Sequence, residues 1–517
     1  MPPIFSLENI HRQYLACRRN KRNTFNALRF EYDLEENLLK LQEELEAQTY
    51  TPSRSVCFVL KQPKLREIFA ADFRDRVVHH LLVDNLEKVW EPLFIHDSYA
   101  CRKGKGTQSA VKRLQSFMRR VSRNGTHRAY FMHLDIRGFF LHINKEVLYQ
   151  TIAKRVRDEE VLWLARSVIF HDCTKNFVLK GQRALLEKIP PHKTLFNTEN
   201  KRGLPIGNLA SQFFSNVYLN ELDQFVKHRL KASYYLRYSD DFVLLHGEKE
   251  RLLGWREEIE EFLQARLRLT LNDRRQTLGP ISNGVDFLGY MVRPDYLLVR
   301  RRVVNRFKAS LVGYEKVLVR REGDCRVLRY DHAMLEKLIA TWASYLAHLK
   351  MANSYGLRQK LLARFAWLGQ FFVWQGRKLK RFDQAPEGIH SLKGQCRFFL
   401  RKCSGSILFV QVGRFYESYD RQAELVLRVL GLRRIEARRG FRTRCGFPCH
   451  SKEMYAKKLI NLGLPVCVVN EGDSWISGVK KRCIAERWMP HNSDLRNTLV
   501  PLKNGDTSDT SHLSDKS

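Results

Sequence analysis

The stretch YYLRYSDDFVLL, residues 234–245, sets two adjacent carboxylates, Asp240 and Asp241, between two apolar runs. Runs rich in aromatic and β-branched side chains on both sides of a short polar break are typical of a β-hairpin. A third carboxylate, Asp135, ends the strand-like run YFMHL at residues 130–134. Because two strand ends can meet in one sheet, we expect the three carboxylates to lie together.

Carboxylates gathered at the end of a sheet suit phosphoryl transfer. Two Mg²⁺ ions about 4 Å apart can activate an attacking hydroxyl and neutralise a leaving pyrophosphate. A few carboxylates supply the hard oxygen ligands for such ions and leave coordination places for water and phosphate. The sequence therefore predicts a site for two Mg²⁺ ions, replaceable by Mn²⁺, at Asp135, Asp240 and Asp241.

The charge balance predicts a polyanionic partner. The chain has 90 Lys and Arg against 55 Asp and Glu, a net charge of +35 that is spread along the sequence. Such an excess is typical of nucleic-acid-binding proteins, although a generally basic protein is the alternative. The 517 residues, 44% of them hydrophobic, are enough for two or three packed domains.

The sequence gives no sign of membrane insertion or secretion. No stretch reaches the eighteen or so apolar residues of a membrane span, and residues 1–12 lack the apolar centre of a signal peptide. We therefore expect a cytoplasmic protein with no membrane partner and mostly buried, reduced cysteines. A zinc site is disfavoured because no C-x-x-C pair exists. Its candidate ligands would be Cys396, Cys403, Cys445, Cys449 and His450.

Hydrophobic periodicity divides the chain into parts of different character. Residues 383–388, DQAPEG, are predicted to be a linker. The predicted domains are an N-terminal helical segment (1–55), a mixed α and β region (56–298), a basic helical bundle (299–385), a small α/β domain (391–490) and a disordered tail (491–517).

Six sequence blocks resemble, in their order, those of bacterial reverse transcriptases. They are KLREI (64–68), SYACR (98–102), HLDIRGFF (133–140), GLPIGNLASQ (203–212), YSDD (238–241) and GVDFLGY (284–290). The resemblance implies an α+β multidomain protein with a right-hand polymerase fold of fingers, palm and helical thumb. It implies an RNA-directed DNA polymerase, a nucleotidyltransferase that binds template RNA, primer and cDNA.

The same resemblance implies roles for individual residues around the metals. Asp135 and Asp240 would be direct metal ligands, and Asp241 a ligand or a supporting charge. Arg66 would clamp the triphosphate with help from Lys64 or Lys61, for which ordinary surface charge is the alternative.

Other blocks would contact the nucleotide and the primer. Phe140 would exclude a ribose 2′-hydroxyl, with a purely structural Phe as the alternative. Ile206 and Gly207 would lie beneath the incoming nucleotide. The primer grip would comprise Phe287, Leu288 and Gly289.

Two departures from the common pattern matter. The family's Lys before Thr277 is replaced by Gln276, so Arg275 is the nearest basic residue and the general acid for pyrophosphate stays open.

The second departure is the pairing of Ile206-Gly207 with Ser211-Gln212, where many reverse transcriptases have Gln-Gly and Ser-Pro. It resembles the enzymes of diversity-generating retroelements, which are bacterial or phage-encoded. These enzymes copy a template RNA with errors directed at adenines, and the mutated copy moves into a variable gene.

A C-terminal region resembles the mismatch-recognition domain of MutS repair proteins. The matching blocks are ILFVQVGRFYESYD (407–420), CGFPCH (445–450) and MYAKKLI (454–460). The resemblance implies that Phe415 stacks on a mispaired base and that Glu417 accepts a hydrogen bond from it. The alternative is that Phe415 fills the core of a small sheet. No phosphate-binding Gly-x-x-x-x-Gly-Lys loop exists, so the MutS ATPase is expected to be absent.

Partners and rival functions follow from these resemblances. The MutS-like module would bind duplex or mismatched nucleic acid and could replace the accessory protein of diversity-generating systems or support self-association. Rival interpretations are a group II intron-type or defence-associated reverse transcriptase, and a non-catalytic nucleic-acid scaffold. The intact Asp135, Asp240 and Asp241 argue against the scaffold.

Overall fold

The computed structural model describes residues 3–19, 21–61, 64–199, 201–375, 378–436, 440–476 and 478–490. The chain divides after Leu297 into two compact units, called unit 1 and unit 2 below. The tail predicted to be disordered, residues 491–517, lies outside the described residues.

Unit 1 combines helices with short strands. Its helices are α1 (Leu7–Arg18), α2 (Phe25–Tyr32), α3 (Leu34–Glu46), α4 (Phe73–Trp90), α5 (Thr107–Val121), α6 (Phe139–His142), α7 (Lys145–Ala153), α8 (Glu159–Phe170), α9 (Arg183–Glu187), α10 (Leu209–Gln224) and α11 (Lys249–Phe262). Its strands are β1 (Ser55–Leu60), β2 (Arg66–Ala70), β3 (Tyr130–Asp135), β4 (Phe177–Leu179), β5 (Tyr234–Tyr238), β6 (Asp241–His246), β7 (Thr277–Pro280), β8 (Val285–Phe287) and β9 (Tyr290–Val292), and β10 (Leu297–Val299) runs across the division.

The central sheet of unit 1 has the strand order β5-β6-β3-β7, and each neighbouring pair is antiparallel. Strands β5 and β6 form the hairpin that the two apolar runs around Asp240 and Asp241 predict. In the β3–β6 pair, Asp135 lies directly opposite Asp241. The prediction that the two carboxylate-bearing strand ends meet in one sheet is confirmed.

Apolar packing fixes this sheet in place. Leu134, Leu244 and Tyr235 on the strands are buried in one core with Tyr218 of α10 and Leu81 of α4. Each fully buried aliphatic side chain contributes about 1.5–3 kcal/mol relative to an exposed one. A second sheet, of order β2-β1-β4, lies beside the glycine-rich segment that precedes α10.

Unit 2 is also mixed. Its helices are α12 (Arg301–Leu318), α13 (His332–Lys350), α14 (Tyr355–Arg364), α15 (Leu392–Lys402), α16 (Asp420–Leu430) and α17 (Lys452–Asn461). Its strands are β11 (Val319–Glu322), β12 (Cys325–Arg329), β13 (Phe372–Gln375), β14 (Lys378–Arg381), β15 (Ile407–Val412), β16 (Phe415–Tyr419), β17 (Arg434–Ile435), β18 (Arg444–Pro448), β19 (Val466–Ile476) and β20 (Val479–Pro490).

One eight-stranded sheet runs through unit 2 in the order β11-β12-β20-β19-β15-β16-β18-β17. The bundle predicted for residues 299–385 is therefore not purely helical, because it also supplies β11 to β14. Strand β12, CRVLR, contains both apolar and basic residues and pairs along β20, which lies more than 150 residues further on in the chain. This long-range pairing overrides the helical signal of the surrounding sequence.

The predicted linker also differs from expectation. Asp383 and Ala385 are buried, and the Asp383 carbonyl accepts a hydrogen bond from the Ile484 amide at 2.7 Å. The Asp383 carboxylate forms an ion pair with Arg381. The first half of the segment is thus packed against β20, and only residues 386–388 are exposed.

Two compositional expectations concern metals and membranes. Among the zinc candidates, Cys396, Cys403 and Cys445 are buried, and the Cys403 thiol lies 3.3 Å from that of Cys467. In the described ranges no three His, Cys, Asp or Glu side chains are grouped so as to hold a metal ion. None of the described helices is both long and apolar enough to cross a membrane.

Candidate functional site

The three predicted carboxylates lie at one end of the central sheet of unit 1. Asp135 is the last residue of β3 and Asp241 the first of β6, while Asp240 sits in the turn between β5 and β6. Ser239 opens this turn with φ of +60°, in the left-handed region. The Ile136 amide donates to the Asp240 carbonyl at 3.2 Å, which ties the turn to the segment that follows β3.

Each carboxylate has a different environment. The Asp135 carboxylate accepts hydrogen bonds from Asn272 at 2.7 Å and from Arg275 at 3.4 Å. The Asp241 carboxylate pairs with the Nε2 atom of His133 on the neighbouring strand. Burial, and then the nearby Asp135 carboxylate, raise the pKa of Asp240 to about 6. Negative charge at this sheet end is therefore only partly compensated.

The donor chemistry of this sheet end fits Mg²⁺. Carboxylate oxygens are hard ligands of the kind that Mg²⁺ prefers, and burial together with the nearby Asp135 carboxylate raises the pKa of Asp240. Among the described residues these carboxylates are not grouped closely enough to hold a metal ion, so binding would require their side chains to turn towards one another. Asp135 and Asp241 now bond to Asn272 and His133, so the ion would compete with these partners.

Arg275 and Gln276, just before β7, are held by different partners. Gln276, where the resemblance expects a Lys, accepts a hydrogen bond from Arg256 at 2.6 Å and so is held by α11. Arg275 instead reaches Asp135. The basic side chain at this sheet end is therefore Arg275.

The hairpin of β1 and β2 brings a second basic group to the carboxylates. Burial and then Arg275 lower the pKa of Lys64, whereas Asp135 and Asp240 act in the opposite direction. Lys64 therefore lies within electrostatic range of the site. Arg66 opens β2 and is half-buried, and Lys61 is exposed.

The segment before α10 is attached to β2 by backbone contacts. The Phe69 amide donates to the Ile206 carbonyl at 3.1 Å. Gly207 has φ of +120°, and a Cβ atom there would approach Ile68 to 2.7 Å, so only glycine fits. The half-buried Ile206 side chain is thus set beside β2 by main-chain geometry.

The same segment is attached to the turn that follows β3. The Leu204 amide donates to the Phe140 carbonyl at 2.8 Å. The Phe140 ring is half-buried and lies edge-on to Phe139, with ring centroids 5.4 Å apart. The predicted nucleotide residues Phe140, Ile206 and Gly207 are therefore brought together. Ser211 is buried and Gln212 exposed in the first turn of α10.

The predicted primer-grip residues form a two-residue hairpin turn. Phe287 ends β8, and Leu288 and Gly289 follow with φ of +49° and +91°, the geometry of a tight turn between antiparallel strands. The buried Phe287 ring faces His133 edge-on at 5.9 Å. Through His133 this turn is linked to Asp241.

One ion pair of the site has no signal in the sequence blocks. Arg237 on β5 pairs with Asp223 on α10 through contacts of 2.8 and 2.6 Å, and both side chains are completely buried. The same guanidinium donates to the Ser239 carbonyl at 3.0 Å and to Ser98 Oγ at 3.1 Å. The residue before Asp240 is thus held by a buried cation.

In unit 2 the two predicted mismatch contacts differ in exposure. Phe415 opens β16 and is 48% exposed, so it does not fill the core. Glu417 is 6% exposed and accepts hydrogen bonds from the Tyr419 hydroxyl at 2.6 Å and from Arg444 at 3.3 Å. An aromatic side chain is therefore presented at the surface, while the carboxylate is bound within the domain.

Comparison with known proteins assigns both regions. Residues 59–292 match the family model "Reverse transcriptase (RNA-dependent DNA polymerase)", and residues 397–487 match "MutS domain I". The first match implies binding of template RNA and primer, and the second implies binding of nucleic acid.

The chain is also similar to two curated relatives. Protein YkfC of Escherichia coli is 24% identical over 51% of this chain and 71% of its own length. The group II intron-encoded protein LtrA of Lactococcus lactis is 22% identical over 60% of this chain and 58% of its own length. A telomerase structure from Candida tropicalis covers 48% of the chain at a TM-score of 0.35, which adds no weight.

The Arg237–Asp223 pair yields a prediction about stability. Arg237→Met should lower the free energy of unfolding by about 3–5 kcal/mol, because it leaves the Asp223 charge buried without its partner. The double variant Arg237→Met, Asp223→Leu should unfold at a higher temperature than the single variant, since no uncompensated charge remains. Thermal unfolding of the three full-length proteins checks this, and a double variant less stable than the single one would contradict it.

Proposed function

We propose that this chain, an RNA-directed DNA polymerase by its reverse transcriptase domain, holds two Mg²⁺ ions at Asp135, Asp240 and Asp241 while it adds deoxynucleotides to a primer. The observation that carries the proposal is the register that sets Asp135 opposite Asp241 beside the Asp240 turn. When bound, the ions would activate the primer hydroxyl and neutralise the leaving pyrophosphate.

The other residues of the site have roles in binding and orientation. Lys64 and Arg66 on the β1–β2 hairpin attract the triphosphate, and Arg275 beside Asp135 adds a guanidinium to the site. Phe140 forms a wall where the sugar lies, and Ile206 forms the floor. A backbone hydrogen bond from Phe69 holds the main chain of Ile206 beside β2.

The subfamily we favour is that of diversity-generating retroelements. Its support is the Ile206-Gly207 and Ser211-Gln212 combination, which places an aliphatic side chain where an amide would donate hydrogen bonds. The alternative is a group II intron-type enzyme, which the similarity to LtrA favours. Flanking DNA decides between them: two near-identical repeats that differ mainly at adenines belong to the first, and intron RNA sequence to the second.

For unit 2 we propose that the MutS-like module binds distorted duplexes through Phe415. An exposed aromatic side chain at a sheet end can enter a base step from the minor groove. Because Glu417 is bound by Tyr419 and Arg444, a base would have to displace these partners to receive its hydrogen bond. We therefore expect recognition of distortion to outweigh recognition of a particular mispair. The module could also take the place of an accessory protein.

The metal assignment is tested by Asp240→Asn. This change should abolish deoxynucleotide addition, because it removes a ligand charge, and it should leave RNA binding intact. The matched control is Asp273→Asn, an exposed carboxylate near the same sheet end that should tolerate the change. Primer extension on one RNA template is the measurement. Extension by Asp240→Asn at the wild-type rate would refute the assignment.

Phe140 is tested by its selectivity for sugars. Phe140→Ala should admit ribonucleotides, because the wall that meets the 2′-hydroxyl is gone, whereas Phe140→Tyr keeps the ring and should keep the selectivity. The ratio of deoxynucleotide to ribonucleotide incorporation measures this. If the ratio stays the same in the Ala variant, Phe140 has only a packing role.

Ile206 is tested by the error spectrum. Ile206→Gln restores an amide whose hydrogen bond, worth about 0.5–1.5 kcal/mol, would favour correct pairs by about two- to tenfold. We expect fewer errors at template adenines, and Ile206→Val should match the wild type. Sequencing of cDNA from one adenine-rich template compares the three enzymes. Indistinguishable spectra would remove Ile206 from the cause of infidelity.

A further inference from the structure

The hairpin of β19 and β20 projects beyond its neighbours in the sheet of unit 2. Strand β15 runs parallel to β19 with Val410 opposite Val469, and continuing this register sets the end of β15 level with Glu471. Strand β19 continues to Ile476, and the chain returns as β20 from Val479. A two-stranded arm therefore extends past the sheet end at which β15 turns into β16.

Trp475 lies near the tip of this arm and is 63% exposed. Glu471 lies opposite Arg482 and Trp475 opposite Lys480, so four residue steps on β19 match two on β20. Such a bulge re-aims the side chains that follow it. The Lys480 ammonium lies 5.6 Å from the indole centroid. The arm thus presents a large aromatic surface with a cation beside it, a combination that can stack on a base and attract a phosphate.

Strand register sets Trp475 on the same side of the sheet as Phe415. Residues opposite each other on adjacent strands, or two apart on one strand, share a face. Phe415 lies opposite the last residue of β15, which is level with Glu471. Glu471 lies opposite Arg482, and Lys480, two residues further on, lies opposite Trp475. The two exposed aromatic side chains therefore face the same way.

The spacing of the two side chains suits a nucleic-acid strand. Two residues along β20 amount to about 7 Å, and two strand spacings from β16 to β19 to about 10 Å, so the two positions lie about 12 Å apart. This distance equals three to four nucleotides at about 3.4 Å per base. Arg414 precedes Phe415 in the chain, and Lys480, which forms an ion pair with Glu471 at 3.2 Å, lies beside the indole, so a basic residue accompanies each aromatic side chain.

We propose that Trp475 is a second stacking contact for nucleic acid, which takes an unpaired base of a strand whose adjoining duplex meets Phe415. This rests on the proposed nucleic-acid binding by the MutS-like module. An unpaired base is the fitting ligand because it offers a free face to the indole, whereas a paired base is already stacked on both sides. Stacking of this kind accepts any base.

The test uses the full-length protein and two DNA probes of equal duplex length. One probe is blunt, and the other carries a four-nucleotide single-stranded overhang. Trp475→Ala should weaken binding of the overhang probe about 5- to 100-fold, the range expected for one lost stack, and leave the blunt probe unchanged. Trp475→Phe keeps a ring and should retain most of the affinity.

The matched control is Leu462→Ala, because Leu462 is equally exposed at 62% and precedes β19, at the opposite end of that strand from the tip. This variant should bind both probes as the wild type does. Equal melting temperatures of the variants will show that none is unfolded.

Photocrosslinking shows whether the overhang binds to unit 2 or to the polymerase domain. An overhang that contains 5-bromouracil should crosslink to the peptide carrying Trp475, and the same base within the duplex should not. Loss on both probes alike, absence of this crosslink, or an altered oligomeric state with unchanged binding would overturn the proposal.

The variant Phe415→Ala tests nucleic-acid binding by the MutS-like module separately from the contact proposed for Trp475. If Phe415→Ala weakens binding and Trp475→Ala does not, the second contact is wrong while the module still binds nucleic acid. If neither variant weakens binding, the proposed role of the MutS-like module fails as well.

Discussion

The geometry of the proposed polymerase site depends on the buried ion pair of Arg237 and Asp223. Two charges removed from water are costly unless excellent geometry and further hydrogen bonds compensate them. Here Arg237 also binds Ser98 and the carbonyl of Ser239, so one guanidinium joins α10, β5, the segment after α4 and the turn. An apolar pair could fill the same volume but could not fix the carbonyl before Asp240. We infer that the pair specifies the turn rather than adding net stability.

Around Ile206 and Phe140, main-chain hydrogen bonds rather than an ion pair hold the backbone in place. Ile206 and Phe140 each contribute a carbonyl to a bond with a neighbouring segment, and Gly207 is required because Ile68 leaves no room for a Cβ atom. His133 connects Asp241 with the ring of Phe287. Contacts of this kind fix the backbone at the positions that we propose face the nucleotide, so under that proposal selectivity depends on which side chain each position carries.

The sequence was sufficient for features with local signals. The apolar runs on both sides of Asp240 and Asp241 predict the hairpin, and the strand-like run that ends at Asp135 predicts the meeting of the carboxylates. The Arg237–Asp223 pair has no local signal, since its partners come from separate elements and each alone reads as surface charge.

Long-range strand pairing also explains why the structure differs from the sequence-based expectation at β12 and at Glu417. Strand β12 lies in a segment with helical periodicity and becomes a strand because β20 offers it an open edge. The sequence identifies Glu417 through its resemblance to the MutS motif. It does not predict the hydrogen bond from Arg444, 27 residues away, because that contact depends on the pairing of β16 with β18.

The architecture of unit 2 limits how its function can be dissected. Leu335 and Trp342 of α13 share one apolar core with Phe399 of α15 and Val469 of β19, and β12 extends the sheet that carries Phe415. A cut between α13 and α15 would expose this core on both fragments and leave β20 with an unpaired edge, which favours aggregation. If such a fragment did not bind nucleic acid, the cause would be its disrupted core rather than the loss of a binding residue. Point substitutions at exposed side chains of the full chain avoid this ambiguity, because they remove a contact surface and leave the core intact.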